Sequence, residues 1–253
     1  MTSYADILQE FDPISLSEME AVKLMNRIDT KYAIPLHLLP DMLGLAKDDY
    51  FVQEIDGKRI ATYDTMYYDT ADLEMYLRHH DRQLVRQKIR VRQYVDSDLT
   101  FLEIKKKNNK GRTKKKRIVI PVPTLENAPA EVSDFIAQKS NYTISEISTA
   151  LRTQFSRITL VNKQKTERLT IDLQLTWTNE RNGQQTTIPQ LVIVELKRDG
   201  NCPSPMLGIM NRLRVKPLKI SKYCIGTALT DEHVKQNRFK SKIRKIYKLT
   251  GNR

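Results

Sequence analysis

The sequence predicts an α+β domain: a closed antiparallel β-barrel with a charged lumen and helices packed on its outside. Three observations predict it. Strand-like stretches recur in which one face carries Lys, Arg and a carboxylate while the other is apolar, as in "KIRVRQY" and "FLEIKKK". The chain has 43 Lys and Arg against 30 Asp and Glu, a net charge of +13 that implies an anionic partner. No low-complexity linker divides the 253 residues, so 1–253 reads as one domain.

The elements follow in order. "SLSEMEAVKLMNR" (15–27) reads as a helix with capping-box chemistry between Ser17 and Glu20 and with Met19, Leu24 and Met25 at helical spacing. "RIDTKYAIP" (27–35) is a strand ended by Pro35, and 36–46 a short helix. "RIATYDTMYYDT" (59–70), rich in Tyr and Thr, is a strand, and 71–82 a helix with Leu73 and Tyr76 inward. Strands at 86–95, 99–107 and 114–122 follow, then helices at 131–139 and 144–153. Further strands are predicted at 155–162, 167–177 and 187–198, with short helices or turns at 204–214 and 221–229. The tail from His233 holds eight Lys and Arg and no acid, with an apolar seam of Phe239, Ile243, Ile246 and Tyr247, and a basic amphipathic helix is predicted over about 232–249.

Side chains in a strand alternate with a period of two. Lys88, Arg90 and Arg92 therefore share a face, as do Glu103 with Lys105, Glu195 with Lys197, Arg168 with Asp172, and Arg27 and Asp29 with Lys31. An ordinary sheet turns such a face to water. Unit charges about 7 Å apart repel by about 0.6 kcal/mol in water but about 2.4 kcal/mol at an effective dielectric near 20. A repeated cationic face pointing inward is costly when empty, and a polyanionic ligand is its best explanation. Two cysteines without metal-ligand spacing indicate neither a disulfide framework nor a zinc site. The start "MTSYADILQEFDP" is no signal peptide and no apolar stretch approaches a membrane span, so a cytoplasmic protein is expected. His79 and His80 read as surface residues, and Tyr32, Tyr63 and Tyr68 as core or rim packing.

At these residues the chain resembles the VTC domain, the polyphosphate polymerase branch of the triphosphate tunnel, or CYTH-like, metalloenzymes. The resemblance rests on "RIDTKY", "YDTMYYDT", "KIRVRQY", "FLEIKKK", "FSRITL", "ERLTIDLQLTW", "VIVELKRD" and "KPLKISKY", in order over about 25–225. It implies a tunnel fold and phosphate contacts from Lys31, Arg90, Arg92, Lys105, Lys116, Arg157, Arg168, Lys219 and Lys222. Arg27, Lys88 and Lys197 are candidate substrate contacts beside them. Glu195 matches the family's metal-binding glutamate, and Glu103, its counterpart in the repeated pattern, is the second candidate ligand for Mn²⁺ or Mg²⁺. The implied partners are ATP and inorganic polyphosphate. The tail adds an expected contact with a membrane protein or acidic membrane surface. Nucleic acid is not the expected partner: "KKKNNKGRTKKKR" (105–117) is basic but carries no interleaved aromatic platform.

Where many hydrolytic tunnel enzymes begin with Glu-x-Glu-x-Lys, this chain has Arg27-x-Asp29-x-Lys31. Losing the first acid removes a group suited to activating water. A terminal phosphate oxygen is already ionised and needs no such activation. The departure favours chain extension over hydrolysis.

Overall fold

The computed structural model describes residues 3–20, 22 and 27–251, apart from the side chain of Glu20. In chain order the elements are α1 (Tyr4–Gln9), β1 (Asp12–Ile14), α2 (Leu16–Glu20), β2 (Arg27–Pro35), α3 (Leu39–Ala46), β3 (Tyr50–Gln53), β4 (Ala61–Asp69) and α4 (Glu74–His80). Then come β5 (Arg86–Tyr94), β6 (Leu99–Lys107), β7 (Thr113–Val119), α5 (Ala130–Lys139), β8 (Ser148–Asn162), β9 (Glu167–Asn179) and β10 (Gln185–Ile188). The chain ends with β11 (Leu191–Asp199), α6 (Pro205–Arg212), α7 (Lys222–Thr230) and α8 (Lys240–Thr250).

The main sheet runs β2-β11-β9-β8-β4-β5-β6-β7, every pair antiparallel, with β10 beside β9 and β3 beside β8. It is curled, but no ladder joins β2 to β7 among the described residues, so hydrogen bonds do not close it as expected. The connection from α6 to α7 spans the gap. Leu218 N donates to Lys31 O at 2.7 Å on β2, and Lys88 Nζ on β5 donates to Ser221 Oγ at 2.7 Å.

The polarity is that of an inside-out barrel. Tyr32, Ile34, Val192, Val194, Leu196, Ile171 and Ile158 form the outer face, covered by α1, α3 and α6. Ile89, Val91, Leu102 and Ile104 face outward under α5. The concave side is divided. Ala33, Leu151, Phe155, Leu175, Trp177, Leu191 and Ile193 line one end, and α7 fills it with Tyr223, Cys224, Ile225 and Ala228. Gly226 is required there, because a Cβ would press into the Trp177 ring and lie 2.7 Å from Leu151 Cδ2. Phe239 and Ile246 of the C-terminal segment join the same cluster, so α8 is docked on the domain.

Several expectations change. The reciprocal cap of α2 is Ser15 with Glu18: Ser15 N donates to Glu18 Oε2 at 3.0 Å and Glu18 N to Ser15 Oγ at 3.3 Å. The expected Ser17–Glu20 box rests partly on an undescribed side chain, and Leu24 and Met25 lie outside the described residues. Residues 144–153 hold only a 3₁₀ turn, Ile144–Glu146, before β8. Leu151, Thr153 and Phe155 are buried while Arg152 and Gln154 are exposed, a strand's period, and Thr149 and Thr153 favour it. The strand predicted at 187–198 is split into β10 and β11 at Pro189, which has no N–H for a ladder. His80 is fully buried rather than at the surface. Its Nδ1 lies 2.8 Å from Asp81 Oδ1 and its Nε2 accepts from Arg238 N at 3.3 Å.

Candidate functional site

The other end of the concave side is a cavity of about 830 Å³ lined by sixteen Lys and Arg against five Asp and Glu. Antiparallel register explains how one strand face delivers so many. Arg90 stands opposite Glu103 and Lys88 opposite Lys105, while Lys105 faces Lys115 on β7. Glu195 stands opposite Lys31 and Thr170, and Lys197 opposite Asp29 and Arg168.

Three carboxylates are each held by two cations. Glu103, only 1% exposed, accepts from Arg90 Nε at 2.7 Å and Lys115 Nζ at 2.8 Å. Asp172 takes Arg157 through both oxygens, at 2.6 and 2.9 Å, and also pairs with Lys222 at the first turn of α7. Glu195 pairs with Lys31 and, at 3.1 Å, with Lys197. Burial pushes the Glu103 and Asp172 carboxyls up, yet their cations hold both well below the usual carboxylate range. Arg27 pairs with Asp29 at 2.6 Å at the mouth.

The remaining cations are in surplus. Among the described residues Arg92, Lys105 and Arg168 have no ion-pair partner; Arg92 Nε donates to Thr65 Oγ1 at 3.1 Å and its guanidinium lies 5.3 Å from the Tyr63 ring centre. The charge of Arg90, and then burial, pulls Lys105 far below the usual ammonium range; burial with Arg157 and Arg168 does so to Lys197. Burial together with Lys197 and Lys222 brings Lys31 down to about 7. Tyr67 is a buried phenol at the centre of this field. Burial pushes it up, but Arg90, Arg92, Lys88 and Lys222 outweigh that and lower it, and Arg90 Nη1 donates to its oxygen at 3.3 Å.

Of the sequence candidates, Arg27, Lys31, Lys88, Arg90, Arg92, Glu103, Lys105, Arg157, Arg168, Glu195, Lys197 and Lys222 line this one cavity. Lys116 does not. It stands opposite Ile104 and shares that residue's outward face, so Lys115 and Arg117 are the β7 cations that reach the lumen. Lys219 is exposed and outside the cavity lining. The sequence reading missed Lys115, Arg117, Tyr67 and Ser221. Only the hairpin register between β6 and β7 could have separated Lys115 from Lys116 in an unbroken basic run.

The family resemblance implies a divalent metal. Among the described residues no three His, Cys, Asp or Glu side chains are grouped to hold one. Glu103 and Asp172 spend both oxygens on cations, and Glu195 bridges two lysines. This donor set does not fit a metal site built by the protein alone. No described helix is long and apolar enough to cross a membrane.

Comparison with known proteins adds the following. A family model described as "VTC domain" matches residues 26–231. No curated protein sequence matches the chain. Among solved structures, a candidate adenylate cyclase from Vibrio parahaemolyticus is similar over 80% of this chain and 99% of its own, with 9% identity and a TM-score of 0.48. A candidate adenylyl cyclase from Hippeastrum, described as having a dominant triphosphatase activity, is similar over 81% and 97%, with 13% identity and a TM-score of 0.49.

Proposed function

The chain belongs to the VTC domain family, and from that premise we propose that it is a metal-dependent polyphosphate polymerase that uses ATP. The observation that carries the reading is the cavity, where cations outnumber carboxylates about threefold and every acid present is bound to a cation. In the reaction, a terminal oxygen of the growing chain attacks the γ-phosphorus of ATP, the bond to the β-phosphate oxygen breaks, and ADP leaves. Little covalent chemistry is asked of the protein, so its contribution is positioning and charge stabilisation.

Arg90 and Arg157 are held in place by Glu103 and Asp172, so their outer N–H groups meet phosphate oxygens with little reorganisation. Arg92 and Arg168 supply charge that the empty protein leaves uncompensated, and Lys105, whose proton the empty cavity disfavours, regains its charge against phosphate. Lys31 and Lys197 beside Glu195, and Lys222 beside Asp172, act as point charges. Lys88 holds the start of α7 against β5 and offers its remaining donors to the chain. A divalent ion bound to the phosphates would add neutralising charge, and Glu195, the most exposed of the three paired carboxylates, would exchange a lysine partner for it.

Purified protein incubated with ATP and Mn²⁺ or Mg²⁺ is expected to form polymer visible on a gel. Release of inorganic phosphate without polymer would assign the site to triphosphate hydrolysis. Glu195→Gln is expected to lose metal-dependent turnover while polyphosphate binding persists, because it removes the ion's ligand and spares the cationic wall. Full turnover in that variant would contradict the role of Glu195.

A further inference from the structure

Where the cavity runs past the start of α7 along the edge of β5 and β6, a second group of cations gathers around His79. Arg86 and Lys107 stand directly opposite each other at the ends of β5 and β6, and both line the cavity with His79. The C-terminal segment reaches the same place: the Phe239 ring lies 6.3 Å from that of His79, and Lys242 Nζ lies 5.8 Å from the Phe239 ring centre. The charges of Arg86 and Lys219 bear on Lys107, and those of Arg82 and Lys219 bear on Lys242. None of Arg82, Arg86, Lys107, Lys219 and Lys242 has an ion-pair partner among the described residues, in contrast to the three pinned carboxylates deeper in. His79 Nδ1 is buried without a hydrogen-bond partner.

We propose that Arg82, Arg86, Lys107, Lys219 and Lys242, grouped around His79, form a second polyphosphate-binding surface that holds the chain where it leaves the tunnel. The inference rests on the polyphosphate reading above and extends it. A chain anchored at Arg90 must run four residues along β5, roughly 13 Å, before it meets Arg86. A triphosphate held at the Arg90 and Arg157 centres stays short of the outer cations. A long chain engages both. The surface therefore selects by length, and α8 takes part in it through Lys242, which gives the docked basic tail a role within this domain.

The test compares tripolyphosphate with long-chain polyphosphate by titration calorimetry, on three full-length proteins. These are the parent, R82E/K242E at the outlet, and R244E/K245E, which makes an equal charge change on exposed positions of α8. R82E/K242E is expected to weaken long-chain binding by about tenfold or more and to leave tripolyphosphate within about twofold. R244E/K245E is expected to keep both affinities within about threefold, since exposed charges are screened. A circular-dichroism melt of each variant establishes that α8 remains docked. If R82E/K242E does not fold, Lys219→Glu alone must show the same selective loss. Equal losses in both double variants, or an unchanged long-chain affinity in the outlet variant, overturn the outlet surface alone. A parent that binds neither ligand overturns the polyphosphate reading and this inference with it.

Discussion

Arg90 and Arg92 are two residues apart on one strand face, yet their surroundings make opposite demands. Arg90 is joined to Glu103, whose carboxylate is buried and would keep only Lys115 if Arg90 were lost. Arg92 meets the repulsion of Arg90 and Arg157, and burial with the Arg90 charge lowers its affinity for its proton. Arg90→Met is therefore expected to cost about 3 kcal/mol, the size usual for breaking a buried pair. Arg92→Met, which removes an unpaired charge, is expected to change stability by less than about 1 kcal/mol, with its lost contacts to Tyr63 and Phe155 offsetting the relief. Urea melts of the two variants decide this, and polyphosphate affinity should fall in both. A stable Arg90→Met would mean that Glu103 is not committed to the pair. Of the candidate site, the identity of these inward residues was legible in the sequence because strand alternation is strict. Their division into paired and unpaired cations was not, because it depends on which neighbour each register brings.

At the scale of elements, α7 is the part that makes this curled sheet a site with one filled end. Its seat exists because β9 carries a bulge at Gln174, a non-glycine residue with φ of 53°. Strict alternation from Arg168, Thr170 and Asp172 would have turned Gln174 inward. The extra residue instead turns Leu175 and Trp177 to the interior, where they meet α7. Nothing in "IDLQLTW" announces that reversal, which is why the sequence predicted a charged lumen throughout and not one divided into ionic and apolar halves. The same limit hid the opening between β2 and β7, since closure depends on long-range pairing that no local pattern records. Gly226→Ala tests the seat. The added methyl meets the Trp177 ring and Leu151 with no free space, so a loss of about 1–3 kcal/mol is expected from overpacking, with weaker turnover because Ser221 and Lys222 move with α7. An unshifted melting temperature would mean that α7 is loosely held, and the filled end would have to be reconsidered.

For the whole molecule, sixteen Lys and Arg against five Asp and Glu meet in one cavity, and the buried lysines among them set how the protein responds to pH. Lys31, Lys105, Lys197 and Lys222 all have folded-state values below their ordinary one, chiefly through burial for Lys31, Lys197 and Lys222 and through the charge of Arg90 for Lys105. In the unfolded chain these lysines titrate near 10.4. Between the lowered values, about 7 for Lys31, and the unfolded value, the folded protein binds fewer protons than the unfolded one. Stability must rise with pH across that window, because it rises wherever the unfolded state holds more protons. Tyr67, lowered as well, acts in the same direction. The empty protein is thus expected to melt higher at pH 9.5 than at pH 7, by about 2–4 °C for each kcal/mol of relief. A bound polyphosphate reverses the balance. Its charges restore the ammonium forms, so binding at pH 8 should take up protons and weaken as pH rises. Calorimetry of polyphosphate binding in two buffers of different ionisation enthalpy measures that uptake directly. A melting temperature that falls from pH 7 to 9.5, together with binding that moves no protons, would mean that these lysines stay charged in the empty cavity and that their own carboxylate neighbours, not a bound polyanion, hold them so.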